Sequence, residues 1–195
     1  MSSSLDPMFA DSGIDSRSTG LNLEAKGDPR PEPTGLPRKT VENLASKIAK
    51  RLQLSPGEDL SPIVEKLGGR IKVRSWREGR EDGAIHVEGP GDFTIFLSPY
   101  TGPFRDRFTI AHELGHYFLH SLFGEKKIKI NREGSDPTEW EANWFAAGFL
   151  MPTDSFQEEW NNFGGNVEAM AARFNVSTQT IKIRANVLGL STGDF

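Results

Sequence analysis

The feature that most constrains this chain is a pair of histidines four residues apart, His112 and His116, in the segment Ala-His-Glu-Leu-Gly-His. The surrounding sequence predicts an amphipathic helix over about residues 104–122, because its small and apolar residues recur at helical spacing. Residues four apart lie on one face of a helix, so both imidazoles can reach one metal ion. The positions that form the packed stripe of this helix are Phe108, Ala111, Gly115, Phe118 and Leu122.

Glu113 gives this pair of histidines a possible chemistry. It follows His112 directly and is placed to touch a metal-bound water rather than the metal. A bound ion lowers the pKa of such a water toward ~7 and polarises a carbonyl group. The carboxylate can then accept the proton and pass it to a leaving amine. The pattern favours metal-assisted hydrolysis with Glu113 as general base, and the competing interpretation is a partly exposed helix that merely carries histidines.

A third ligand is expected on the next predicted helix, Pro137–Leu150. Catalytic zinc usually has three protein ligands and one open position, and the absence of cysteine leaves His, Asp and Glu as donors. Glu139 and Glu141 stand two residues apart, so they point about 200° apart around a helix. Only one of them can face the histidines. We predict Glu139, because Asn143 continues its face at the fourth position.

Two neighbouring features bear on this prediction. Asp136-Pro-Thr-Glu139 also fits a capping box, in which Glu139 would accept from the N–H of Asp136 instead of binding metal. Asn143 is expected to orient one of the histidines by accepting its other ring N–H. His120 is expected to be a partly buried histidine and not a ligand. Gly115 costs ~1 kcal/mol relative to Ala in a helix, which indicates that another element packs closely against it.

The two motifs together resemble those of the ImmA/IrrE family of metallopeptidases. The similar segments are Arg107–His120 and the pattern Glu139-x-x-Ala-Asn-x-Phe-Ala-Ala-x-x-Leu-Met-Pro152, and the resemblance covers about residues 40–190. It implies an α+β fold with a thermolysin-like, or zincin-like, metal centre, and its motif also places the third ligand at Glu139. It further implies an intracellular peptidase that cleaves helix-turn-helix repressors in stress or mobile-element responses. Many members have Glu where this chain has Gly148.

Hydrophobic patterning predicts an α+β fold with a disordered tail over residues 1–37, a metallopeptidase domain over 38–160 and a C-terminal subdomain over 161–195. The tail is rich in Ser and Pro without apolar periodicity, and such a segment cannot bury enough surface to order itself. Three consecutive segments have strand character and suggest a small antiparallel three-stranded sheet. These segments are 70–76, 84–87 and 93–97, and further helices are expected at about 40–54, 61–69, 153–160, 166–174 and 178–188.

The last two predicted helices form a pair with helix-turn-helix shape, in which Ser177 caps the second helix. The pair carries few cations, namely Arg173, Lys182 and Arg184, and the whole chain has a net charge of −4. DNA affinity comes mostly from phosphate contacts. We therefore expect a structural or partner-docking role for this pair, and no direct binding of nucleic acid.

Composition limits the remaining classes of function. The chain has no cysteine and lacks a membrane-spanning stretch and a secretory signal, so a cytoplasmic location and no membrane partner are expected. Nitrogen and carboxylate ligands favour zinc, although such a site also accepts Mn²⁺ or Fe²⁺. The expected partner is a protein substrate. The alternatives are a DNA-binding regulator with a structural or vestigial metal site and a protein-binding adaptor. An intact Glu113 favours the enzyme, since a structural site needs no general base.

Overall fold

The computed structural model describes residues 31–74, 84–131 and 136–190, and within these ranges it confirms the predicted α+β class. Residues 1–30, and with them most of the predicted tail, lie outside the described residues. The elements are α1 (Arg38–Arg51), α2 (Ser61–Lys66), β1 (Gly69–Val73), β2 (Ala84–Gly89), β3 (Asp92–Leu97), α3 (Pro103–Gly115), a π-helical turn (His116–His120), β4 (Ile128–Asn131), α4 (Pro137–Leu150), α5 (Thr153–Asn162), α6 (Val167–Phe174) and α7 (Thr178–Val187).

The sheet corrects the prediction of three antiparallel strands. It has four strands in the order β1-β3-β2-β4, with β1 parallel to β3 and the other two pairs antiparallel. The tight β2–β3 connection enforces an antiparallel pair, as expected. Strand β1 pairs with the free edge of β3 and not with β2, the strand that follows it in the sequence. Strand β4 was not predicted, because a strand of four residues offers too little alternation to recognise.

The helix that carries the histidines is also shorter than expected. Helix α3 ends at Gly115, and the chain continues as one π-helical turn, in which the N–H of Ser121 donates to the carbonyl of His116 at 3.0 Å. Leu122 and Phe123 then have positive φ angles of 49° and 63°, which end the helical path. Turns of this kind occur often at functional sites.

Two glycines set the spacing of the central helices. A Cβ on Gly115 would lie 3.1 Å from the Cα of Ala142, so α3 and α4 touch almost backbone to backbone. A Cβ on Gly148 would lie 2.6 Å from the carbonyl oxygen of Glu42, which places α1 equally close to α4. The close approach expected at Gly115 is confirmed. At Gly148, α1 occupies the space that a side chain would need.

Helices α6 and α7 form the predicted C-terminal pair. Ser177 caps α7 as expected, because its hydroxyl accepts from the N–H of Thr180 at 3.1 Å. Phe174 and Ile181, one on each helix, are fully buried. Among the described residues, no helix is long and apolar enough to cross a membrane.

Candidate metal centre

The candidate centre lies between α3 and α4, where the contact at Gly115 brings the two helices together. His112 and His116 are both fully buried at the end of α3 and the start of the π-helical turn. Glu139, in the first turn of α4, is 7% exposed. The sequence therefore placed these three side chains on elements that do meet in the structure.

The three side chains direct their donor atoms at one another. The Nε2 atoms of His112 and His116 are 3.1 Å apart. Glu139 Oε2 lies 3.1 Å from Nε2 of His112, and Glu139 Oε1 lies 3.2 Å from Nε2 of His116. These residues form a group of possible ligands, with one donor atom from each lying within 4.8 Å of the others.

The donor set fits a zinc ion. Ligands around a tetrahedral zinc, with bonds of about 2.0–2.1 Å, lie about 3.3 Å from one another. The separations of 3.1–3.2 Å observed among His112, His116 and Glu139 match this value closely. Two imidazoles and a carboxylate are also a common ligand set for catalytic zinc. The geometry of these three side chains thus fits the predicted ligand set.

The electrostatic environment keeps these donors in the state that a metal requires. Burial lowers the pKa of His116 to about 4, so the imidazole is neutral at physiological pH. Burial alone would raise the pKa of Glu139, but hydrogen bonds with His112 and His116 outweigh it and hold that pKa well below its ordinary value. A neutral imidazole and an ionised carboxylate are the forms that bind metal ions.

The structure separates the roles of the first residues of α4. Asp136 is the N-cap, and its carboxylate accepts from the N–H groups of Thr138 and Glu139. The Glu139 side chain is directed at His112 and His116. Asp136 thus performs the capping that the sequence suggested, while the Glu139 carboxylate reaches the histidines.

Each imidazole has a partner at its second ring nitrogen. Nδ1 of His112 lies 3.0 Å from the Oδ1 atom of Asn143, as the spacing of Asn143 suggested. Nδ1 of His116 lies 2.9 Å from Nδ1 of His120. His120 is buried, in line with the prediction, but its contact with His116 was not foreseen. The available signal was its position four residues after His116, on the same face.

Glu141 faces away from the candidate ligands. Its Oε2 atom lies 3.0 Å from Nε2 of His120, and it accepts from backbone N–H groups at Thr34 and Gly35. Glu113 follows His112 on α3 and is 1% exposed. Its carboxyl group is therefore buried within the fold, directly after His112 on the same helix.

The cations of the C-terminal pair are engaged in internal contacts. Arg184 is 1% exposed and donates to Glu42 at 2.6 Å. Arg173 pairs with Glu159 at 2.6 Å. Of the three cations that the sequence offered to a phosphate backbone, Lys182 alone is neither buried nor in an ion pair that the structure records. This arrangement argues against a DNA-binding surface on α7.

Comparisons with known proteins also match this chain to metallopeptidases. Residues 70–186 match the model of peptidase family M78, described as the IrrE N-terminal-like domain. The radiation response metalloprotease IrrE of Deinococcus deserti is 29% identical over 150 residues, which cover 74% of this chain and 51% of that protein. Metallopeptidase ImmA of Bacillus subtilis is 34% identical over 88 residues, or 44% of this chain and 52% of that protein.

Regulators are also among the similar proteins. The HTH-type transcriptional regulator RamB of Mycobacterium tuberculosis is 23% identical over 76% of this chain and 32% of that protein. A solved M. tuberculosis transcriptional regulator superimposes with a TM-score of 0.54 at 16% identity, covering 75% of this chain and 47% of that one, which shows a shared fold. The chain spans about half the length of the metallopeptidases it matches. With most of its length matched by the family model, the chain belongs to peptidase family M78, the family of the IrrE and ImmA metallopeptidases.

Proposed function

We propose that this chain is a zinc-dependent endopeptidase that hydrolyses a peptide bond in an intracellular protein. The observation that carries the proposal is the convergence of His112, His116 and Glu139 at separations that suit a tetrahedral ion. Glu113, which follows His112 on α3, is also buried. The two histidines and Glu139 would hold the ion. Zinc, when bound, acts as a Lewis acid and lowers the pKa of a coordinated water.

The role proposed for Glu113 is that of general base and acid. It accepts a proton from the attacking water and returns it to the leaving amine. Asn143 holds the ring of His112 by accepting the Nδ1 proton, which keeps Nε2 directed at the site. Burial of the ligands excludes competing water from them, so that electrostatic interactions in the site are strong.

The proposed substrate is a helix-turn-helix transcriptional repressor, and the proposed location is the cytoplasm. This part rests on the similarity to IrrE, which is named for a radiation response, and to ImmA. A stress or mobile-element response is the corresponding biological setting. Zinc is the proposed ion, with Mn²⁺ as a possible substitute in a site of nitrogen and carboxylate ligands.

The test uses zinc-loaded protein and repressors encoded near its gene, with cleavage followed by mass spectrometry. Glu113→Gln is the matched variant, since glutamine keeps the shape of the side chain but cannot accept the proton. We expect cleavage by the wild type and a loss of at least about 100-fold in the variant, with equal zinc content in both. Cleavage by Glu113→Gln at the wild-type rate would refute the role of Glu113. If the repressors stay intact while an unrelated protein is cut, the substrate class is wrong.

A second candidate function is that of a regulator that binds DNA and keeps a structural metal site. The similarity to RamB over 76% of this chain supports it. The internal ion pairs of Arg173 and Arg184 oppose it, because few cations remain for phosphate contacts. A binding assay with duplex DNA separates the two functions. Affinity that falls steeply with salt, without any proteolysis, would favour the regulator.

A further inference from the structure

A chain of buried contacts leads away from His116 on the side opposite the candidate ligands. Nδ1 of His116 lies 2.9 Å from Nδ1 of His120, and Nε2 of His120 lies 3.0 Å from Oε2 of Glu141. The three side chains are between 0% and 4% exposed. This connection crosses from the π-helical turn to α4 and uses neither Glu113 nor Glu139.

The proton positions in this chain follow from the role of His116. If Nε2 of His116 presents its lone pair to the metal, the single ring proton of the neutral imidazole is on Nδ1. His116 then donates to Nδ1 of His120, which must accept. The proton of His120 is consequently on Nε2 and is donated to Glu141. In this arrangement every contact has one donor and one acceptor.

Glu141 is fixed from its other side by the segment that precedes α1. The backbone N–H of Thr34 donates to Oε2 at 2.8 Å, and that of Gly35 donates to Oε1 at 2.8 Å. Both carboxylate oxygens therefore have a backbone donor. Gly35 has a φ angle of +68°, a conformation that glycine adopts without strain. The Glu141 carboxylate is therefore held in one orientation, and it forms the fixed end of the series of contacts from His116 through His120.

The two histidines of the candidate centre differ in the group that contacts their Nδ1 atom. His112 donates to the neutral amide of Asn143. His116 donates to an imidazole that is itself backed by a carboxylate. The bond from His120 to the Glu141 carboxylate has an ionised acceptor and is stronger than a neutral one. It makes Nδ1 of His120 a better acceptor for His116, and such a partner raises the basicity of a ligating imidazole. The ring of His116 is thus oriented by a hydrogen-bonded pair that ends in a carboxylate, whereas the ring of His112 is oriented by a neutral amide.

We propose that His120 and Glu141 are positioning residues for His116, forming a relay from the Thr34–Gly35 backbone to the metal centre. The inference rests on the proposed function in one respect, namely that His116 is a ligand. The relay fixes the tautomer of His116 and its ring orientation, so that Nε2 is available to the ion. Its loss weakens metal binding although neither residue is among the three candidate ligands.

The experiment compares full-length variants by two measurements, the zinc affinity in competition with a chelator and the visible absorption bands of the Co²⁺-loaded protein. His120→Leu removes the relay, and Glu141→Gln removes its charge with little change in shape. We expect zinc affinity to fall about 10- to 100-fold in each, with displaced Co²⁺ bands. His120→Asn is the rescue variant, because its amide can accept the Nδ1 proton of His116. It should recover part of the affinity.

The matched control is Glu42→Gln, which changes a buried carboxylate that contacts Arg184 and no member of the relay. It should lower thermal stability but leave zinc affinity and the Co²⁺ bands unchanged. The proposal is overturned if Glu141→Gln matches the wild type in both measurements, or if Glu42→Gln shows the same losses as Glu141→Gln. Should His120→Leu fail to fold, Glu141→Gln alone decides between these outcomes.

The failure of the relay can be distinguished from the failure of the proposed function. His116→Ala tests the ligand itself. If His116→Ala binds zinc like the wild type, the proposed metal centre is wrong. If His116→Ala loses zinc while the relay variants keep it, the centre stands and the relay alone is refuted.

Discussion

Arg184 of α7 and Glu42 of α1 form a buried ion pair, with Nη1 of Arg184 donating to Oε2 of Glu42 at 2.6 Å. Arg184 also donates to the carbonyl oxygen of Met151 and to the hydroxyl of Thr153. All three nitrogens of the guanidinium therefore donate to groups from α1 and from the region where α4 passes into α5. These contacts of Arg184 connect α7 to α1 and to the end of α4, the helix that carries Glu139.

Replacement of Arg184 by Met should destabilise the protein by about 3 kcal/mol, because it leaves the buried Glu42 carboxylate without its principal partner. The partly exposed Arg38, which contacts the other oxygen of Glu42, limits the loss. Urea unfolding of the zinc-free protein measures the change. The double variant Glu42→Leu with Arg184→Met is the control and should recover much of the stability, since no charge remains buried. A loss in the double variant equal to or above that of Arg184→Met would contradict this account.

Gly148→Ala should destabilise the protein by about 1–2 kcal/mol. The added Cβ would meet backbone atoms of Glu42 at 2.6 and 2.8 Å, so α1 must move away from α4. Overpacking of this kind costs about 1–3 kcal/mol, and the better helix propensity of Ala returns up to about 1 kcal/mol. Thermal unfolding measures the net effect. Gly89→Ala is the control, because no atom lies within 4 Å of its added Cβ. Equal stability of Gly148→Ala and wild type would show that the helices separate without cost.

The sequence predicted best where local chemistry decides the structure. Helix α4 begins and ends where expected, because Asp136 and Pro137 start it and Pro152 prevents its continuation. The placement of His112 and His116 on one face needs only helical geometry. Side chains two residues apart on a helix point in nearly opposite directions, so only one of Glu139 and Glu141 could face the histidines. Asn143, on the same face as Glu139, favoured Glu139.

The sequence failed where distant segments decide the structure. Alternation identified β1 as a strand, but the choice between β2 and β3 as its partner depends on the path of the intervening chain. The contact of Glu141 with Thr34 joins residues 107 positions apart, which no local pattern encodes. The π-helical turn over His116–His120 was likewise not predicted from the helical pattern of the sequence.

Asp136→Ala should cost about 1 kcal/mol of stability near pH 7, as expected for the loss of an N-cap. The hydroxyl of Thr138 contributes most to lowering the pKa of Asp136 below its ordinary value, and the N–H groups of Glu139 and Thr138 add to this effect. Because the folded-state pKa is depressed, the ionised cap stabilises the protein above about pH 4, and this contribution is lost as the pH falls through the folded pKa. The difference from Asp136→Ala should therefore shrink on acidification.

Urea unfolding of the metal-free protein at several pH values checks this dependence. Asp136→Ser is the matched control, because serine caps a helix about as well as aspartate but carries no charge. Its stability relative to Asp136→Ala should stay constant with pH. A wild-type advantage over Asp136→Ala that grows toward pH 3 would contradict the assignment of Asp136 as an ionised cap.

The Glu139 carboxylate is expected to be a metal ligand, and its removal should therefore act on metal affinity far more than on the fold. Both of its oxygens lie within 3.2 Å of a histidine Nε2 atom. Glu139→Ala should weaken zinc binding by orders of magnitude, since it leaves two protein ligands where a catalytic site usually has three. Asp136→Ala is the control, because it removes the cap of the same helix turn and keeps the carboxylate. The Asp136→Ala variant should lose only ~1 kcal/mol of stability and keep its zinc affinity.

Zinc titration measures the affinity of each variant, and the zinc-dependent rise in melting temperature gives a second measure. This rise reports affinity because a ligand that binds only the folded state stabilises it according to its affinity. If the two variants lose zinc to the same extent, Glu139 acts through the helix start and is not a ligand.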